Sequence, residues 1–183
     1  MSELIVSVSG VRGIVGQTLT SQVAHEFGQA FGWMLRESGV GRINVVIGRD
    51  SRPSGPMIQS ALTSGLLSVG VDVTDLGIVA TPAAALMGRF LKAQASIVIT
   101  ASHNPAEYNG IKFLNHHGMA FPADQIEKLK KIYQEKKWIA VNAQQIGRAN
   151  TDSRSHAHHV QTVLAYLDTK PIIARRYRVV LDS

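Results

Sequence analysis

Apolar and polar positions follow two rhythms along the chain. Short β-branched runs at residues 4–8, 43–47, 71–76, 95–100 and 111–114 predict buried or half-buried strands. Between them, apolar residues recur at spacings of three and four. Val23, Phe27, Ala30, Phe31 and Met34 would line one face of a helix that Thr20 can cap. Residues 54–69 predict a second helix with Pro56 in its first turn, where a missing N–H costs little. Residues 82–91 predict a third, and residues 124–135 a fourth through Ile126, Leu129, Ile132 and Tyr133. Gly39 and Gly41 punctuate the first helix and the second strand, and Gly48 ends that strand. Strands alternating with helices imply an α/β fold, a three-layer α/β/α domain whose largely parallel (mixed) sheet is covered on both faces. From residue 136 to 155 the pattern fades and predicts a loop. Residues 157–167 predict a last helix, and Pro171 a break. Residues 177–183 read as the opening of another buried-type strand, so the expectation is that the protein continues beyond Ser183. No repeat or low-complexity segment interrupts the chain.

Composition narrows the class. The 183 residues suit one globular domain with a short piece of a second, and 45% hydrophobic content excludes disorder. No apolar run approaches the roughly 20 residues of a membrane span. The first ten residues carry Glu3 and no basic flank, so no signal peptide is expected. The absence of cysteine removes disulfides and thiolate metal sites, and a cytoplasmic setting is expected. Nineteen Lys and Arg against thirteen Asp and Glu leave a net charge of +6, which attracts anions of any kind. Charge alone does not choose among nucleic acid, membrane surface and phosphorylated small molecule.

The densest chemistry is Thr100-Ala101-Ser102-His103-Asn104-Pro105, followed by Asn109-Gly110-Ile111-Lys112-Phe113. It begins at the carboxyl end of the most apolar strand, where α/β sheets place ligands. Ser102 is a candidate nucleophile and His103 a candidate proton carrier. Asn104-Pro105 and Asn109-Gly110 supply turns. Lys112 returns a cation toward the loop if its strand runs back beside it. The competing reading is an ordinary polar turn. A serine hydrolase is disfavoured, because no glycine-flanked nucleophile elbow surrounds Ser102 and adjacent side chains on an extended chain face opposite ways.

Two further segments follow predicted strands. Residues 9–16 set Arg12 among Gly10, Gly13 and Gly16, and residues 48–55 set Arg49, Asp50 and Arg52 before a helix. Glycine amides, guanidinium groups and a helix N-terminus all favour anions. The plain alternative is a pair of turns with exposed arginines, with Asp50 holding Arg49 or Arg52. Three such loops after three strands would share one sheet edge, and that convergence is the strongest signal. His116, His117, His156, His158 and His159 lack metal-site spacing and read as surface residues. Lys128, Lys130, Lys131, Lys136 and Lys137 are interleaved with Glu127 and Glu135 and read as a solvated helix face. No aromatic ladder accompanies them, so neither nucleic acid nor membrane is expected as a partner.

The serine segment resembles the phosphoserine loop of the α-D-phosphohexomutases, which include phosphoglucomutase, phosphomannomutase and phosphoglucosamine mutase. Residues 9–13 are similar to that family's opening arginine loop, and residues 48–52 to its second. The resemblance implies the first of four domains over residues 1–170, with a linker and the first strand of a second over residues 171–183. It implies that Ser102 carries a phosphate and exchanges it with hexose 1- and 6-phosphates through a bisphosphorylated sugar, making the whole enzyme an isomerase. By resemblance, Arg12, His103 and Lys112 join Ser102 in catalysis, and Gly13, Arg49, Asn104 and Asn109 contact substrate or phosphate. Mg2+ is expected between the Ser102 phosphate and an aspartate-rich loop of the second domain, which has no counterpart here. The isolated segment is therefore expected to lack turnover without the missing domains. The sugar, whether glucose, mannose or glucosamine, is not separated by these motifs, though general likeness leans to a bacterial-type phosphoglucosamine or phosphomannomutase. A non-catalytic module that binds anionic sugar phosphates through the same loops is the alternative reading.

Overall fold

The computed structural model describes residues 3–38 and 41–182; Gly39, read above as punctuation, and Ser183 lie outside them. In chain order the elements are β1 (Ile5–Ser7), β2 (Gly10–Ile14), α1 (Ser21–Ser38), β3 (Asn44–Arg49), α2 (Gly55–Ser68), β4 (Asp72–Ile78) and α3 (Thr81–Phe90). There follow β5 (Ala95–Ile99), β6 (Tyr108–Asn115), α4 (Ala123–Glu135), β7 (Ala149–Thr151), α5 (Ser155–Leu164) and α6 (Lys170–Arg175). They build a seven-stranded sheet in the order β1-β2-β6-β5-β3-β4-β7. β5, β3, β4 and β7 are mutually parallel, while β6 is antiparallel to both β5 and β2, and β1 to β2. The sheet is mixed, and helices cover both faces. Among the described residues no helix is long and apolar enough to cross a membrane.

Alternation along the strands sorts the core into two layers. Val45, Ile47, Ile97, Ile99, Ile111 and Phe113 face α1, α2 and α4, joining Phe27, Phe31, Ile58, Leu62 and Leu129 in the larger cluster. Val46, Val98 and Leu114 face the other way, onto Ala83, Ala84 and Met87 of α3. Phe31 touches both Phe113 and Phe121, with ring centroids 4.5 and 5.5 Å apart. The predicted cap forms: the Val23 amide donates to Thr20 Oγ1 at 3.2 Å. α1 and α2 approach closely because two glycines face the partner backbone. A Cβ on Gly65 would sit 2.1 Å from the carbonyl oxygen of His25, and one on Gly28 would sit 2.4 Å from that of Leu62.

Chain order creates the crevice. From β3 the chain crosses through α2 on one face to β4, then returns through α3 on the other face to β5, which flanks β3 on its opposite side. The loops leaving β3 and β5 therefore diverge at their carboxyl ends, which is where open α/β sheets bind ligands.

The structure corrects several expectations. Residues 9–16, expected as a glycine-rich loop, contain strand β2; its glycines hid the alternation. β7 occupies part of the expected 136–155 loop, and β6 begins three residues before the predicted strand. Pro171 lies in the first turn of α6 rather than at a break, since proline needs no N–H donor there. The expected strand at residues 177–183 is absent among the described residues. Val179, Val180 and Leu181 are 75, 95 and 90% exposed, with no neighbouring strand to pair their backbone.

Candidate active site

β5 is buried at every position, a rigid stem for the loop that follows. Three residues past it, Ser102 has φ +57°, a left-handed conformation that costs a non-glycine residue of order 1–2 kcal/mol. The turn is held from within. The Ser102 amide donates to Thr100 Oγ1 at 3.0 Å, and Asn104 Nδ2 donates to the Ala101 carbonyl at 2.7 Å. This conformation overturns the expectation that Ser102 and His103 point apart. The left-handed turn brings Ser102 Oγ to 3.4 Å from His103 Nδ1, and both side chains are exposed.

Lys112 meets the condition set for it. β6 runs back beside β5, with Lys112 opposite Val98. Arg12 is opposite Gly110, whose carbonyl oxygen accepts from the Thr100 amide at 3.0 Å. Directly paired residues share a sheet face, so Arg12 and Lys112 emerge together on the α3 face, at diagonal positions of adjacent strands. Both are half-buried, and among the described residues neither is paired with a carboxylate. The two cations and the serine thus lie at one end of the sheet, Arg12 reaching it on a strand rather than a loop.

The other expected contacts are placed differently. Asn109 is wholly buried and donates through Nδ2 to Ser54 Oγ at 2.9 Å, tying the start of β6 to the residue before α2. Gly13 is a packing position: a Cβ there would meet Thr18 Oγ1 at 2.5 Å. Arg49 Nε donates to Gln59 Oε1 at 3.0 Å and lines an 830 Å³ groove between α2 and β7. Asn104 lines the smaller hollow of about 360 Å³ with Ser102, Ala106 and residues 50–53. Arg52 is directed onto the carbonyl oxygens of the serine loop. Sequence reasoning missed this role because carbonyl acceptors carry no residue signature.

A divalent cation finds little here by itself. Among the described residues no three His, Asp or Glu side chains gather as a metal site. Asp50, the carboxylate lining the hollow, accepts from Arg52 Nε and from the Arg52 amide. His158 packs on Phe90 in a tilted arrangement, ring centroids 4.4 Å apart, and His156 Nε2 lies 3.3 Å from the Ile78 carbonyl oxygen.

The model of the phosphoglucomutase/phosphomannomutase family, α/β/α domain I, matches residues 4–140. A phosphoglucosamine mutase of Caldanaerobacter subterraneus is 42% identical over 161 residues, 87% of this chain and 36% of that protein. A phosphoglucomutase/phosphomannomutase of Thermococcus kodakarensis is 38% identical over 95% of this chain and 38% of its own length. Among solved structures, a putative phosphomannomutase from Thermus thermophilus superposes with a TM-score of 0.79 at 30% identity, covering 93% of this chain and 38% of that one. A family protein from Burkholderia thailandensis gives 0.76 at 32% identity, covering 89% of this chain and 36% of that one. The chain spans a little over a third of the length of these relatives.

Proposed function

The chain belongs to the phosphoglucomutase/phosphomannomutase family, and from that membership we propose that it is the phosphate-carrying domain of a hexose-phosphate mutase. Ser102 carries the phosphate. The Ser102 Oγ–P bond breaks as a sugar hydroxyl oxygen bonds to phosphorus, and the hydroxyl proton passes to a neighbouring base. The bisphosphorylated sugar then returns its other phosphate to Ser102 Oγ, so the net change is isomerisation. The observation carrying this reading is the left-handed stance of Ser102 at the switch-point crevice, its hydroxyl beside His103 Nδ1.

Phosphoryl transfer depends on positioning and positive charge more than on covalent machinery. Arg12 and Lys112 supply charge on one sheet face, and His103 is the candidate proton carrier. Asn104 borders the hollow and holds the loop to Ala101. Mg2+ would take from this chain only an oxygen of the Ser102 phosphate, its other ligands coming from elsewhere, and would neutralise phosphate charge when bound. The chain alone therefore supports no turnover. The name of the Caldanaerobacter relative favours glucosamine phosphate among the possible sugars. A cytoplasmic setting fits such a substrate and a cysteine-free chain.

Intact mass of the full-length protein, with the phosphosite mapped by fragmentation, tests the proposal. The expected result is one phosphate on Ser102, removed by hexose monophosphates, restored by glucose 1,6-bisphosphate and absent from S102A. No phosphate and no uptake from the bisphosphate would overturn it in favour of a non-catalytic sugar-phosphate module.

A further inference from the structure

Arg52 offers five N–H donors, and five acceptors meet them. Nε donates to Asp50 Oδ2 at 3.2 Å. Nη1 donates to the carbonyl oxygens of Pro105 at 2.8 Å and Tyr108 at 3.1 Å. Nη2 donates to those of Ser102 at 2.9 Å and Asn104 at 2.7 Å. The side chain is only 16% exposed. An arginine that the sequence offers as an anion ligand thus has every donor engaged inside the protein.

We infer that Arg52 is the positioning residue for Ser102, setting the nucleophile through the main chain rather than by touching substrate; this rests on the reading of Ser102 as the phosphate carrier. Four carbonyl oxygens within residues 102–108 converge on one point and would repel one another without a cation between them. A planar guanidinium satisfies them as two forks, whereas a lysine ammonium presents three donors from a single atom. The arginine is itself anchored. Its amide donates to Asp50 Oδ1 at 3.1 Å, its carbonyl accepts from the Gly55 amide at 2.9 Å, and the Asp50 amide donates to the Ile99 carbonyl at 3.0 Å. The loops leaving β3 and β5 are therefore tied to each other through Arg52 and Asp50. A left-handed serine persists only where its surroundings over-determine it, and the clasp takes hold of the carbonyl of Ser102 itself.

The test compares R52K and R52A with the unaltered full-length protein. R52K keeps the charge and loses the fork, so it separates geometry from electrostatics. Turnover (kcat) is expected to fall about 100-fold in both, the scale of an ångström-sized misplacement, while KM for the hexose phosphate changes less than about threefold. Free guanidinium should restore kcat of R52A by about tenfold, and methylammonium should not, because only the former reproduces the fork. R52K with kcat within about threefold of the unaltered protein, equal rescue by the two cations, or KM rising with loss of charge would each overturn the inference. Hydrogen exchange of the amides of residues 101–104 and 106–108 reads the clasp without turnover. It should quicken at least tenfold in both variants and slow again in R52A with guanidinium; unchanged exchange overturns the clasp. Should Ser102 take no phosphate, the mutase reading falls and exchange alone decides the clasp. Should R52A fail to fold, R52K supplies both readouts.

Discussion

Strain at Ser102 has a measurable consequence. Its φ of +57° places a side chain where only glycine is comfortable, at a cost of roughly 1–2 kcal/mol. Replacing Ser102 by glycine removes that cost but adds conformational entropy to the unfolded chain, roughly 0.5–1 kcal/mol in the opposite sense. Replacing it by alanine retains the strain and deletes the same hydroxyl, so the pair isolates the backbone effect. The loop is exposed, and no packing loss masks the difference. S102G should therefore exceed S102A in stability by about 0.5–1 kcal/mol, or about 1–4 °C in Tm for a domain of this size. Urea denaturation at equilibrium, with the slope m checked for constancy, measures it. Both variants should lose phosphate uptake, so the more stable one is also inactive. Alanine above glycine by about 0.5–1 kcal/mol, the entropy difference alone, would show that the left-handed turn stores no strain.

Other outcomes follow from the packing and the charges. G65A gains about 1 kcal/mol of helix propensity but drives a Cβ to 2.1 Å from the His25 carbonyl oxygen, so overpacking of about 1–3 kcal/mol should leave it destabilised in urea. G32A meets a movable side-chain methyl of Val69 at 2.6 Å and should cost less than G65A. F31A, emptying a wholly buried ring that touches Phe113 and Phe121, should cost about 3–5 kcal/mol by the same measurement. Hydrogen bonds from Arg42, which outweigh its partial burial, together with the Arg148 amide hold the Asp72 carboxyl below the usual aspartate value of 3.8. A depressed folded-state pKa stabilises the fold above the unfolded value, and that contribution disappears as pH falls through the folded one. R42A should therefore flatten the acid limb of a stability-versus-pH curve below about pH 4 and change its neutral value little more than a surface pair warrants.

Much of the architecture was legible because it rests on local periodicity. The apolar runs of β3 and β5, the Thr20 cap and the three-and-four spacing of α1 and α4 each follow from a face that must be buried. β2 escaped because Gly10 and Gly13 remove the side chains that would show alternation, and β7 because Ala149-Asn150-Thr151 is a wholly exposed edge strand. The tail at residues 177–182 misled in the other direction: a hydrophobic run makes a strand only beside a partner. Ser102, Arg12 and Lys112 were named from their motifs, and the sheet topology brings them to one end.

What the chain determines by itself is which residues must be covered and which loop carries a serine, a histidine and a returning lysine. The roles of Arg49, Arg52 and Asn109 were decided only in three dimensions. Their partners are a glutamine on α2, five acceptors around two loops and the hydroxyl of Ser54; four of the Arg52 acceptors lie 50 to 56 residues away, and Ser54 lies 55 residues from Asn109. Four of the Arg52 acceptors are backbone carbonyls, which every residue possesses. No residue-type pattern can encode such a contact, so an arginine that looked free to bind an anion is instead the strut behind the serine.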